Sequence, residues 1–170
     1  MSSRNNEPLL LIEKLGLKPH PEGGWFKETY RSSEIVREEY LPERFNSDHH
    51  FSTCIYFLLQ NYDFSAFHRI KSDEIWHFYL GSPVKLYVLK NGVQETILLG
   101  DNVDSGHVFQ AVVPQGCWFA AEVLVPDSFA LVGCTVSPGF DFSDFEMASL
   151  ADLTPEYGKY ATLIRRMTRS

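Results

Sequence analysis

The residues best suited to chemistry lie together in one stretch: His68-Arg69-Ile70-Lys71-Ser72-Asp73-Glu74-Ile75-Trp76-His77-Phe78-Tyr79-Leu80-Gly81. Two strand-like pieces flank a polar turn at 71–73. Strand side chains alternate, so Glu74, Trp76 and Phe78 share one face and Ile75, His77 and Tyr79 the other. A carboxylate set between Trp and Phe is costly to bury without a partner. His68, on the preceding strand, is the expected partner. An imidazole coupled to a carboxylate can be placed near neutrality, as a general base requires. His68 and Glu74 are therefore the predicted catalytic residues. The spacing Glu74-x-x-His77 would make a metal-binding pair on a helix. On a strand, residues three apart point to opposite faces, so His77 reads as a packing or interface residue. The pair His49-His50 falls in a polar loop and reads as solvated. His107 follows Gly106 and reads as exposed.

These residues need a scaffold, and the spacing of strand and turn signals describes one. Residues 25–32 and then 51–59, 64–70, 74–80, 84–89, 94–99, 107–113, 117–125 and 128–136 are short, aromatic and β-branched. Between them stand turn formers such as Gly81-Ser82-Pro83, Asn91-Gly92 and Pro114-Gln115-Gly116. Asn91-Gly92 is the strongest hairpin signal. Eight or nine strands with no helices between them predict an antiparallel sandwich or barrel, not a parallel α/β sheet. Helices are expected at both ends. One covers 6–17, with Leu9, Leu10, Ile12 and Leu15 on one face and Gly16 as its cap. The other starts at the N-cap Thr154 with Pro155 in its first turn. No repeat or linker divides the 170 residues, so one domain is expected over 1–170, with its strand core at about 25–145.

Composition removes several function classes. The net charge is −7, which disfavours a nucleic-acid binder. No apolar run reaches the roughly 18 residues of a membrane span, and residues 1–8 hold no apolar core of a signal peptide. Cys54, Cys117 and Cys134 are odd in number and lack CxxC spacing, so neither a disulfide framework nor a zinc site is indicated. The expected compartment is the cytoplasm. There is no GxGxxG, Walker A loop, GxSxG or HExxH.

The stretch His68-x-Ile70-x3-Glu74-x6-Gly81 resembles the first motif of the cupin superfamily, G-x5-H-x-H-x3,4-E-x6-G. Pro114-x-Gly116-x2-Phe119 resembles the second, G-x5-P-x-G-x2-H-x3-N. Three blocks resemble more closely an uncharacterised single-domain branch of cupins: Pro19-His20-Pro21-Glu22-Gly23-Gly24-Trp25-Phe26, Ser72–Tyr79 and Val136-Ser137-Pro138-Gly139-Phe140-Asp141-Phe142. The resemblance implies an all-β, cupin-type double-stranded β-helix, or jelly roll, with short terminal helices. It also implies a homodimer, as symmetric pairing would in any case bury open sheet edges.

Typical cupins hold a metal with three His and one Glu. His68 and Glu74 take two of those positions, while Ile70 and Phe119 take the others. No metal and no other cofactor is therefore expected. The fallback set is His68, Glu74 and His77, should a bulge near Ser72 change the strand register. The remainder resembles the metal-free sugar-nucleotide epimerase cupins, which imply a His base and a Tyr acid. His68 fits the base, and Tyr56 or Tyr79 the acid. Arg31, Arg69 and Lys71 are the basic candidates for a diphosphate. Trp25, Trp76 and Trp118, with Tyr30 and Gln110, are the predicted pocket wall. Phe140 and Phe142 read as structural. The expected function is small-molecule binding. Beyond that stands metal-independent isomerisation or epimerisation of a carbohydrate-like or acidic metabolite, or else non-catalytic metabolite binding. A metal-dependent dioxygenase is the weaker alternative.

Overall fold

The computed structural model describes residues 7–60 and 62–169. The readings on residues 1–6 lie outside them, as does Asn61 between the strands predicted at 51–59 and 64–70. The chain runs α1 (Glu7–Leu15), β1 (Lys18–Pro19), β2 (Trp25–Arg31), β3 (Ile35–Val36), β4 (His49–His50), β5 (Thr53–Gln60), β6 (Phe64–Arg69), β7 (Asp73–Gly81), β8 (Val84–Lys90) and β9 (Val93–Leu99). It continues through β10 (Gln110–Val113), β11 (Trp118–Val123), β12 (Phe129–Ser137), β13 (Glu146–Met147), α2 (Leu150–Tyr157) and α3 (Ala161–Met167).

Two antiparallel sheets face one another. One is ordered β1-β2-β5-β12-β7-β10 and the other β13-β6-β11-β8-β9, with β3 and β4 forming a small ribbon beside them. Neighbours in the sheets are mostly far apart in sequence, as in a jelly roll. The inner faces meet in an apolar core that includes Phe57, Trp76, Leu86, Phe119 and Val132. Each outer face carries a helical cover. The helices α2 and α3 pack Leu153, Ile164 and Met167 onto Phe67, Leu89 and Trp118. The helix α1 sets Leu11, Ile12 and Leu15 near Leu17, Leu58 and Leu131.

Local chemistry explains the joints. Asn91 and Gly92 both have positive φ, 51° and 73°, the signature of the tight turn whose twist matches the strands it joins. Gly16 ends α1 at φ 66°, and Leu17 N–H closes back on the Ile12 carbonyl at 2.9 Å.

Several expected details differ. Leu9 and Leu10 are exposed, because Leu11, Ile12 and Leu15 form the face that meets the sheet. The helix α2 begins four residues earlier than Thr154. Ser149 and Asp152 form a reciprocal capping box, with Pro155 inside the helix. His49 is buried, its Nε2 2.5 Å from Asp144 Oδ2. His107 is only half exposed, and its Nδ1 is buried without a partner among the described residues.

Candidate functional site

A cavity of about 210 Å³ opens between the two sheets. Its wall is largely apolar: Phe26, Ile55, Phe57 and Val136 from the sheets, Ile70 just after β6, and Phe140, Phe142 and Phe145 from the segment after β12. Into this wall the chain sets His20, Glu22, His68, Glu74 and Cys134, with Glu28, Arg31 and Asp141 also lining it.

Strand alternation places Glu74 inside. It pairs with Val136 on β12 and Val113 on β10, and only 8 % of it is exposed. His68 lies on β6 opposite Phe119 of β11, with the two ring centroids 4.0 Å apart. Glu22 comes from the turn between β1 and β2. Gly23 follows it at φ 112°, and a Cβ there would collide with the Phe64 carbonyl. The turn can lie against β6 only because glycine stands at that position. Ala66 N–H then donates to the Glu22 carbonyl at 2.9 Å. Gly24 N–H donates to Asp63 Oδ2 at 2.7 Å. Arg169, near the C-terminus, donates through Nε to the Glu22 carbonyl at 3.1 Å and through Nη2 to Asp63 Oδ1 at 2.5 Å. The Glu22 side chain is thereby aimed at His68.

The hydrogen bonds fix the protons. His68 Nδ1 lies 2.7 Å from the Ala66 carbonyl, which can only accept. Nδ1 therefore carries a proton, and Nε2 faces Glu22 Oε2 at 3.1 Å. Ser65 donates to the other Glu22 oxygen at 2.8 Å. His20 Nδ1 stands 3.4 Å from both the Glu22 N–H and Glu22 Oε2. Burial pulls His68 down to about 3 and His20 down to about 4. Burial, then the charge of Glu74, raises Glu22 well above the usual carboxylate range. These directions leave both imidazoles neutral and put the proton between Glu22 and His68 on the carboxyl. Burial also raises Glu74 to about 7, against the pull of the neighbouring Cys134 thiol. The Cys134 thiol is itself pushed well up by burial and by Glu74, so it is no thiolate nucleophile. One carboxyl poised near neutrality faces another that holds a proton, an arrangement that can remove a proton and return one.

Of the sequence-predicted site residues, His68 and Glu74 line the cavity together. His68 is partnered by Glu22, however, and not by Glu74. Tyr56 and Trp25 pack in the outer cluster beneath α1, and Tyr79 sits against Tyr56 on that same outer side. Neither tyrosine can act as the acid in the cavity. Tyr30 is 53 % exposed. Gln110 bonds His77 Nδ1 at 3.0 Å away from the cavity. Trp118 lies in the cluster under α2 and α3, with the Arg69 guanidinium 4.2 Å from its ring centroid. Trp76 is inside but belongs to the core beside Phe57 and Phe119. The physical reason is common to most of these cases: the large rings were needed to seal the helix covers and the core.

The basic residues are engaged elsewhere. Arg31 donates to both Glu28 oxygens at 2.9 and 2.7 Å and to the Phe140 carbonyl. Arg69 pairs with Glu146 at 2.7 Å, and Lys71 with Asp144 at 3.0 Å. A diphosphate would find none of the three free.

The residues do not fit a resident metal. Ile70 lines the cavity and Phe119 fills the core. His77 Nε2 bonds Thr135 Oγ1 at 3.0 Å on the opposite face of β7 from Glu74. Pairing between β7 and β12 is regular from Asp73 to Phe78, with a shift only beyond it, near Leu80. No bulge near Ser72 recruits His77. Among the described residues, no three His, Cys, Asp or Glu are arranged to hold a metal ion.

Sequence reasoning missed Glu22, His20, Cys134 and the Phe140–Phe145 wall. The signal for the first two was the turn Pro19-His20-Pro21-Glu22-Gly23-Gly24, whose glycine pair marks a close backbone approach.

The comparisons with known proteins agree on the fold. Residues 10–148, which include every residue lining the cavity, match the family described as Cupin superfamily (DUF985). The uncharacterised protein YML079W of Saccharomyces cerevisiae is 34% identical over 145 residues, covering 79% of this chain and 71% of its own. A hypothetical protein from Leishmania major superposes with a TM-score of 0.86 at 34% identity, covering 95% of this chain and 98% of its own. Protein SO0799 from Shewanella oneidensis gives 0.84 at 33% identity, covering 98% of each chain. A match of this extent, on a fold of two facing antiparallel sheets, establishes that the chain belongs to the cupin superfamily.

Proposed function

We propose that this cupin is a small-molecule enzyme catalysing metal-independent proton transfer, an isomerisation or epimerisation, on a carbohydrate-like metabolite held in the cavity. The observation that supports it is the buried pair of carboxyls, Glu22 backed by His68 and Glu74 opposite. Glu74, near 7, takes a proton from a carbon made acidic by a neighbouring carbonyl. Glu22 returns one to the substrate from its protonated carboxyl, and His68 Nε2 holds that carboxyl in place. A base whose pKa lies near the working pH is the efficient choice. The phenylalanine wall excludes water and receives the apolar face of a sugar ring. Of the two substrate classes expected from sequence, the acidic one is disfavoured. Glu22, Glu28, Glu74 and Asp141 line the cavity, against the single guanidinium of Arg31. A homodimer belongs to the same proposal, supported by exposed Tyr30, Tyr79, Phe109 and Val112 on and beside the six-stranded sheet. Sedimentation velocity tests it.

The activity is tested in D2O. EDTA-treated protein is incubated with a panel of ketoses, aldoses and amino sugars, and carbon-bound hydrogen is followed by proton NMR. Exchange by wild type that is lost in Glu74→Gln supports the proposal. Exchange that needs added metal, or that survives Glu74→Gln unchanged, overturns it.

A further inference from the structure

Resting on the cavity as the functional site, we infer that its ligand is a small organic cation, a molecule of about monosaccharide size whose ammonium group seats between Glu74 and Glu22. Three features of the cavity carry this.

The first is charge pairing. Glu74 makes no ion pair among the described residues: beside its carboxyl stand the Cys134 thiol and the Trp76 indole, and its charge bears on the neighbouring Glu22 carboxyl. The cations nearby are already neutralised. Arg31 is clamped by Glu28, and Arg169 by Asp63. His68 spends its one fixed proton on the Ala66 carbonyl. A buried carboxyl with no cation is a costly arrangement, and a ligand that brings the cation relieves it.

The second is the wall. Phe140, Phe142 and Phe145 meet edge to face at centroid distances of 5.0 to 6.2 Å, and the His20 ring stacks on Phe142 at 5.8 Å. Ring faces attract a cation and repel an anion. The acidic and aromatic walls therefore select the same sign of charge.

The third is size. At about 210 Å³ the cavity lies below the roughly 300 Å³ at which drug-sized pockets begin. A nucleoside diphosphate conjugate does not fit inside it. A metal cation fits no better. Glu22 already binds Ser65 and His68, and among the described residues no set of three ligands is assembled.

The experiment uses three probes that share one ring: glucosamine, glucose and glucuronate. Thermal unfolding of the EDTA-treated full chain is followed against each at neutral pH, where Glu74 is ionised in good part and the amine still carries charge. The expected result is a rise in midpoint with glucosamine at concentrations roughly tenfold below those of glucose, and none with glucuronate. Glu74→Gln removes the preference for glucosamine over glucose, and Glu22→Gln serves as the second variant. Equal responses to glucosamine and glucose, a stronger response to glucuronate, or no response to any probe overturns the inference. A larger rise with Zn²⁺ or Mn²⁺ alone does so too. Failure here is separable from failure of the proposed function. Cation preference without hydrogen exchange leaves this ligand class and removes the chemistry; exchange on neutral sugars without cation preference does the reverse.

Discussion

Two buried histidines of this molecule each meet a carboxyl, and their surroundings separate a staple from a site. His49 Nε2 lies 2.5 Å from Asp144 Oδ2, and Lys71 Nζ reaches the other oxygen at 3.0 Å. His49 Nδ1 is spent on the Ser47 carbonyl, and Phe45 covers its ring. Each Asp144 oxygen has a partner, a cation is present, and neither His49 nor Asp144 lines the cavity. His68 is oriented by the same device, a backbone carbonyl on Nδ1. Its Nε2 faces Glu22, which meets no lysine and opens on the cavity. The His49–Asp144 pair fastens the Phe140–Phe145 segment to β4. The His68–Glu22 pair is left with a proton to give. What marks the site is the missing cation and the open volume, since the histidine–carboxyl contact occurs in both.

The largest expected effect breaks the two pairs one at a time. His68→Ala lowers proton-exchange activity by about 10²–10⁴-fold, the usual worth of positioned acid–base catalysis, in protein that remains folded by circular dichroism. His49→Ala leaves exchange per folded molecule within about threefold. Equal losses in the two variants would erase the distinction.

Stability reverses the ranking. Asp144→Ala strands His49 and Lys71 and costs about 3–5 kcal/mol in urea unfolding. Glu22→Gln, which keeps an amide toward Ser65 and His68, costs about 1 kcal/mol. An Asp144 variant as stable as wild type would show that this pair staples nothing.

Much of this fold was legible in the sequence, and less of the site. Asn91-Gly92 and the β-branched runs fixed the strands because turn chemistry and alternation are local. His68 and Glu74 were found for the same reason: each lies on a strand whose period of two assigns its face. Glu22 was not, because its position depends on Asp63 and Arg169, residues 41 and 147 places along the chain. The tryptophans misled because aromatic content does not say which face of a sheet a helix will cover. His49 looked solvated in a polar loop because Asp144, its partner, is 95 residues away.

The next effect sharpens the comparison through pH. The folded-state pKa of Glu74 is raised to about 7 from 4.5. Its contribution to stability is therefore fully present below about 4.5 and is lost as pH rises through about 7. At about 1.36 kcal/mol per unit, wild type loses on the order of 3 kcal/mol relative to Glu74→Gln across that window. A stability difference that stays flat with pH contradicts the assigned burial.

The smallest expected effect is at Arg169, a positioning residue that holds the Glu22 backbone. Arg169→Ala costs about 1–2 kcal/mol of stability. It also moves the alkaline limb of the pH–activity profile upward, since Glu22 must hold its proton to act and the guanidinium lowers it. Lys at this position, with the charge but not the fork, restores the profile more than the stability. A stability loss with an unmoved profile would leave Arg169 a structural residue alone.

The most direct test of the account is nitrogen NMR of the imidazole rings, with His68 assigned by its loss in His68→Ala. The account predicts that His68 stays neutral from mildly acidic to mildly alkaline pH, protonated at Nδ1 and bare at Nε2, with the shared proton on Glu22. A His68 ring that titrates near the ordinary histidine value, or that is a stable imidazolium at neutral pH, would contradict it.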